Sequence, residues 1–232
     1  MTAILPRGSD TIRCASTGLP SAGMNVGILG TGGMAAALGG AWTRAGHRVL
    51  IGGRNHERAK LTAESIGAAA HGSLEDAARH GDAVLVAVPA AAAPQLVSDL
   101  AGPLAGRTVI DCTNPIVATS DGLLLDEPMA GRLAAAAGGA HVVKAFNLCH
   151  VSIWTLHRPA FENVPLAVPY CADHPAAAAV TETLISSIGC TPAACGGLAR
   201  AAYLEATAAL AIGLWWSGGQ PRAMFPPMGQ VA

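Results

Sequence analysis

Charge is scarce in this chain. Asp, Glu, Lys and Arg make up 12% of its 232 residues, and the formal net charge is −1. A phosphate backbone is gripped by a surplus of cations, so general nucleic-acid binding is excluded. Aromatic residues are few, at 4%. No run of about 18 or more bulky apolar residues occurs, which argues against a membrane-spanning helix. The chain also lacks a secretory apolar segment near its start. Among the six cysteines, at 14, 112, 149, 171, 190 and 195, none forms a Cys-x-x-Cys pair with histidines at zinc spacing. No metal site is expected, the thiols read as reduced core residues, and the expected compartment is the cytoplasm. Apolar residues nonetheless reach 51%, too many for a disordered chain.

Short apolar runs alternate with helical patterns. The runs 25–29, 47–51, 68–71, 82–88, 108–112 and 141–146 read as strands. Helices are expected between them, at about 34–45, 57–65, 74–80, 92–100 and 127–137, with a loop at 118–128. Such alternation implies a parallel sheet with helices on both faces. The fold class is therefore α/β: a Rossmann-type doubly wound parallel sheet with a small C-terminal α/β extension. Residues 1–23 read as a disordered leader, 24–148 as the nucleotide-binding domain, and 149–232 as a substrate and dimerisation region. In that last part, 164–170 reads as an edge strand because it holds two prolines. Helices are expected at 175–188, with Asp173 as cap, and at 198–215. An extended tail follows.

Gly30-Thr31-Gly32-Gly33-Met34-Ala35 is a G-x-G-x-x-A turn between a strand and a helix. Gly30 permits the turn, Gly32 lets a pyrophosphate approach the backbone, and Ala35 lets helix and strand pack closely. The helix start offers free N–H groups to phosphate. The second strand would end in a carboxylate at an NAD site. It runs instead into Gly53-Arg54-Asn55, with Arg58 four residues after Arg54. Two guanidinium groups so placed can close on the 2′-phosphate of NADP(H).

Further blocks carry a more particular signal. Residues 27–34 and 52–55, Val-Val-Lys-Ala-Phe-Asn at 142–147, Val-Pro-Tyr-Cys-Ala-Asp at 168–173 and Gly-Gly-Leu-Ala-Arg-Ala-Ala-Tyr-Leu-Glu at 196–205 resemble the coenzyme F-420-dependent NADP oxidoreductase family. The cytoplasmic domain of ferric metalloreductases is similar. The resemblance covers about residues 24–216. It implies hydride transfer between NADPH and a deazaflavin (coenzyme F-420) or flavin. Thr31, Gly32, Gly33 and Met34 would hold the pyrophosphate, and Arg54 and Arg58 the 2′-phosphate. Val88 and Pro89 would border the nicotinamide, while Asn114, Pro115, Ala145, Phe146 and Asn147 would floor the cleft.

Hydride transfer to a flavin-type acceptor needs orientation rather than an acid. A C=N or C=C reductase resembling pyrroline-carboxylate reductases would need a proton donor. His150 is the candidate. Lys144 reads as a buried amine with a partner, and Glu205 as a helix cap or the partner of an arginine. A non-enzymatic NADP-sensing regulator stands as a third reading. The last helix is apolar on nearly every side, so it should be buried, with a second copy completing its cover in a homodimer.

Overall fold

The computed structural model describes residues 23–221. The expected leader, apart from Gly23, and the tail after Pro221 lie outside the described residues. Twelve strands occur in chain order: β1 Asn25–Leu29, β2 Arg48–Gly52, β3 Ala70–Gly72, β4 Ala83–Val86, β5 Thr108–Asp111, β6 Ile116–Thr119, β7 Gly122–Leu125, β8 His141–Ala145, β9 Ala160–Phe161, β10 Val164–Pro165, β11 Ala167–Ala172 and β12 Thr191–Ala194. The helices are α1 Gly33–Arg44, α2 His56–Ile66, α3 Leu74–His80, α4 Ala93–Asp99, α5 Ala101–Leu104, α6 Met129–Ala136, α7 Pro175–Ser187 and α8 Ala201–Trp216.

Eight strands form one sheet in the order β12-β11-β8-β5-β4-β1-β2-β3. All neighbours are parallel except β8 and β11. This is the expected doubly wound sheet, with its reversal of strand order between β1 and β4. Each inner strand is buried on both faces because its residues divide between two cores. Val26, Ile28, Val49, Ile51, Leu85 and Ile110 face a core built with α1, α2 and α7. Leu29, Leu50, Val84, Val86 and Val109 face a second core built with α3, α4 and α6.

Helix ends follow their local chemistry. Ser73 and Asp76 form a reciprocal capping box at α3, and Asn55 Oδ1 accepts the Arg58 N–H at the start of α2. After α1, Gly46 takes φ +89°, which lets the His47 N–H return to the Trp42 carbonyl.

The C-terminal part corrects several expectations. The loop expected at 118–128 contains the hairpin β6–β7. Its two-residue loop is Ser120-Asp121, and Gly122 opens β7 with φ +104°. The strand expected at 164–170 is two elements. Val164–Pro165 pairs only with β9, whereas β11 is interior, with β12 as the true edge. Pro169 is tolerated because β11 meets β8 only from Tyr170 onward, so its missing N–H faces no ladder. Asp173 does not cap α7. Its carboxylate accepts the Leu198 N–H at 2.8 Å, in the turn that leads into α8. The second half of α8 is not buried: Leu210, Trp215 and Trp216 are 54%, 56% and 67% exposed.

Candidate functional site

The site lies where the carboxyl ends of β1 and β4 diverge, the place at which open α/β sheets bind ligands. Gly30 closes the first turn. Its φ is +132°, and a Cβ there would lie 2.2 Å from the Ala87 carbonyl oxygen. Gly32 is different in kind. It precedes α1 with φ −87° and no side chain caps the helix start, while a Cβ on it would meet nothing within 4 Å. That open side and the uncapped N–H groups suit a pyrophosphate. Ala35 is fully buried against the sheet.

A cleft of about 590 Å³ runs outward from this turn. Gly30, Thr31, Gly32, Gly53, Arg54, Arg58, Val88 and Pro89 line it together. Among the described residues no carboxylate pairs with Arg54 or Arg58, so both guanidinium groups are available. A second lobe of about 310 Å³ continues past Gly32, Gly33 and Met34 to Cys112, Thr113 and Asn114. Burial, with the Asp111 charge adding to it, pushes the Cys112 thiol up to about 12. It is a protonated, non-nucleophilic part of the wall.

Not every expected site residue reaches the cleft. Asn55 is committed to the α2 cap and Pro115 is buried behind the floor. Ala145 and Phe146 are core residues, with the Phe146 ring edge-on between Trp42 at 5.6 Å and Trp154 at 5.3 Å. Asn147 is buried, but it supports the floor from behind by an amide pair with Asn114. Its Nδ2 donates to Asn114 Oδ1 at 2.9 Å, and Asn114 Nδ2 donates to the Asn147 carbonyl at 2.8 Å. His150 lines neither lobe. Its Nδ1 lies 2.9 Å from Ser152 Oγ at the start of a short helical turn, and its ring sits beside Trp215.

Behind the floor stands a fully buried ionic cluster. Lys144 Nζ donates to Asp111 Oδ2 at 2.9 Å and Glu205 Oε1 at 2.8 Å, and all three side chains have no exposure. Glu205 also accepts the N–H groups of Met129 at 2.9 Å and Ala130 at 3.2 Å. It thereby caps α6, whose own preceding residue, Pro128, supplies no cap. These donors and the helix dipole offset the extra negative charge. Lys144 has the partner expected of it, and Glu205 is both cap and ion-pair member, with a lysine. Asp111 escaped the sequence reading because it sits at the end of an apolar strand with no motif around it. Gln95, Leu96 and Asp99 on α4, which also line the main cleft, escaped because no motif marks them on that helix.

Residues 25–115 match the family described as NADP oxidoreductase, coenzyme F420-dependent. The metalloreductase STEAP3 of Rattus norvegicus is 31% identical over 189 residues, covering 81% of this chain and 37% of the relative. The chain thus spans about a third of that protein's length. Among solved structures, a candidate F420-dependent NADP-reductase from Arthrobacter sp. FB24 superposes with a TM-score of 0.75 at 23% identity, over 85% of this chain and 96% of that one. Plasmodium falciparum pyrroline carboxylate reductase, solved with NADP bound, gives 0.52 at 14% identity, over 75% and 58%. At these identities the two structures speak for the fold alone.

Proposed function

We propose, from the match of residues 25–115 to the family described as NADP oxidoreductase, coenzyme F420-dependent, that the chain is an NADP(H)-dependent reductase passing a hydride between NADPH and a flat deazaflavin or flavin. The observation that carries the cofactor is the pairing of an open Gly32 with two unpaired arginines on one cleft. The 2′-phosphate would sit on Arg54 and Arg58, the pyrophosphate on the start of α1, and the nicotinamide beside Thr113 and Asn114. No bound cofactor is needed to see the fit: the cleft leaves space where a phosphate needs it and positive charge where the 2′-phosphate would lie.

The acceptor is argued from what the inner lobe offers. Its polar residues are Thr113, whose hydroxyl is engaged by buried Asp111, Asn114, whose amide is engaged by Asn147, and Cys112, whose thiol is held protonated far above neutrality. Among the described residues no carboxylate, histidine or lysine lines that lobe. Such a wall orients two flat rings but offers no ready proton, which favours hydride transfer to a flavin-type ring over reduction of a C=N bond. In this reading His150, which lines neither lobe, donates no proton. The reduced thiols fit a cytoplasmic setting.

The test is NADPH oxidation against a panel of deazaflavin, flavin and cyclic-imine acceptors. Turnover with the imine alone would replace the reading by the pyrroline-carboxylate type. Tight NADPH binding without turnover of any acceptor would favour a sensing role. Arg54→Glu is expected to weaken NADPH by more than about tenfold while sparing NADH, since it removes a bidentate phosphate contact and adds repulsion. Equal losses for both cofactors would remove the 2′-phosphate assignment.

The functional unit in this proposal is a homodimer. One protomer leaves Tyr203, Leu210, Trp215 and Trp216 exposed along α8, and a twofold partner would cover part of this apolar surface. Light scattering at low micromolar concentration should give twice the chain mass, and Leu210→Glu should shift it toward one chain. A monomer in both cases would refute the dimer.

A further inference from the structure

We infer that Lys144, Asp111 and Glu205 are positioning residues for the nicotinamide half of bound NADPH, acting through Thr113 and Asn114. This rests on the NADP reading above and assigns work to a cluster that touches no ligand itself. The argument starts from Thr113, whose polar groups are all committed. Its N–H and Oγ–H both donate to Asp111 Oδ1, at 2.8 and 2.7 Å. Its carbonyl accepts from Lys144 Nζ. The lysine has three donors and three acceptors: Asp111, Thr113 and Glu205. Thr113 therefore cannot shift without breaking a charge-assisted bond in a site sealed from water.

The next residue is held as firmly. Asn114 is locked by its reciprocal amide pair with Asn147. Asn147 Nδ2 also donates to the Leu204 carbonyl at 3.1 Å, on the residue immediately before Glu205. The floor of the inner lobe is thus tied to α8 at two successive residues and to β5 and β8 through the ion cluster. The Arg54 end of the cleft receives none of these bonds. The nicotinamide end has a supporting shell of its own, which is what precise placement of a reacting ring demands.

The two ends can be probed separately. NADPH spans both lobes, whereas adenosine 2′,5′-bisphosphate carries the adenosine with its 2′- and 5′-phosphates and lacks the nicotinamide half. Dissociation constants for both ligands are measured by calorimetry on the full chain, for wild type and Glu205→Gln, with thermal melting as the check on folding. Glu205→Gln keeps the shape but gives up the charge that holds Lys144. The expected result is an NADPH affinity lowered by roughly tenfold with the bisphosphate within about twofold of wild type. A purely architectural cluster would leave both ligands unchanged, or weaken both together as the fold loosens. Either outcome overturns the inference. Should Glu205→Gln not fold, Asp111→Asn removes a charge that holds both Thr113 and Lys144 from outside the lobe, and the same split is required of it. A wild type that binds neither ligand removes the NADP reading, and this inference falls with it. A wild type that binds both, beside an unchanged variant, removes this inference alone.

Discussion

Gly32→Val is expected to give a folded protein that no longer binds NADPH. Gly32 has an ordinary negative φ and open space where a side chain would project. A branched side chain costs the fold little there. It fills the volume a pyrophosphate must enter and shields the N–H groups at the start of α1. The contrast is Gly30→Ala. That position has φ +132° and would put the added Cβ 2.2 Å from the Ala87 carbonyl oxygen, so backbone strain alone should destabilise by about 1–3 kcal/mol. The pair separates two roles that glycines play in one turn. Fluorescence titration of NADPH together with thermal melting reads both. A Gly32→Val protein that titrates NADPH like wild type would place the site elsewhere.

Lys144→Met should be the most destabilising single change in the core. It leaves Asp111 and Glu205 as two carboxylates with no exposure and no counter-ion. Breaking one member out of a buried ionic cluster costs about 3–5 kcal/mol, because the remaining charges cannot reach water and have lost their counter-ion. The Met129, Ala130 and Thr113 N–H groups soften this loss without cancelling it. Urea denaturation gives the number directly. A loss below about 1 kcal/mol would mean that the carboxylates do not depend on the ammonium for their compensation.

The central sheet was legible because both of its faces are covered. Val26 to Leu29, Val49 to Ile51 and Ala83 to Val86 are apolar without interruption, and glycine or proline closes each run. The phosphate end of the cleft was legible too, since its chemistry lies in contiguous residues: a glycine turn and two arginines one helical turn apart. The nicotinamide end was less so. Asp111, Lys144 and Glu205 come from three separate elements, and only the strand order brings them together. Ala145 and Phe146 stand near the cleft in sequence, yet Ala145 faces the core at the end of β8 and Phe146, just past the strand with φ +63°, turns its ring into the same core. β12 escaped because Thr191-Pro-Ala-Ala has almost none of the β-branched or aromatic residues by which strands are recognised. It pairs only because β11 offers it an edge. The hydropathy of α8 correctly showed a surface seeking cover but not that one protomer leaves so much of it bare.

The four tryptophans divide evenly between two environments. Trp42 and Trp154 are sealed, with 0% and 1% exposure, while Trp215 and Trp216 are more than half exposed at the end of α8. Their emission should therefore be a sum of two colours, a blue component that iodide cannot reach and a red component that it quenches readily. The red component belongs entirely to one helix end. Its quenchable fraction is an internal gauge of whether anything sits on that surface. Unlike a mass measurement, it can be followed in real time, at nanomolar concentration, while acceptor or cofactor is added.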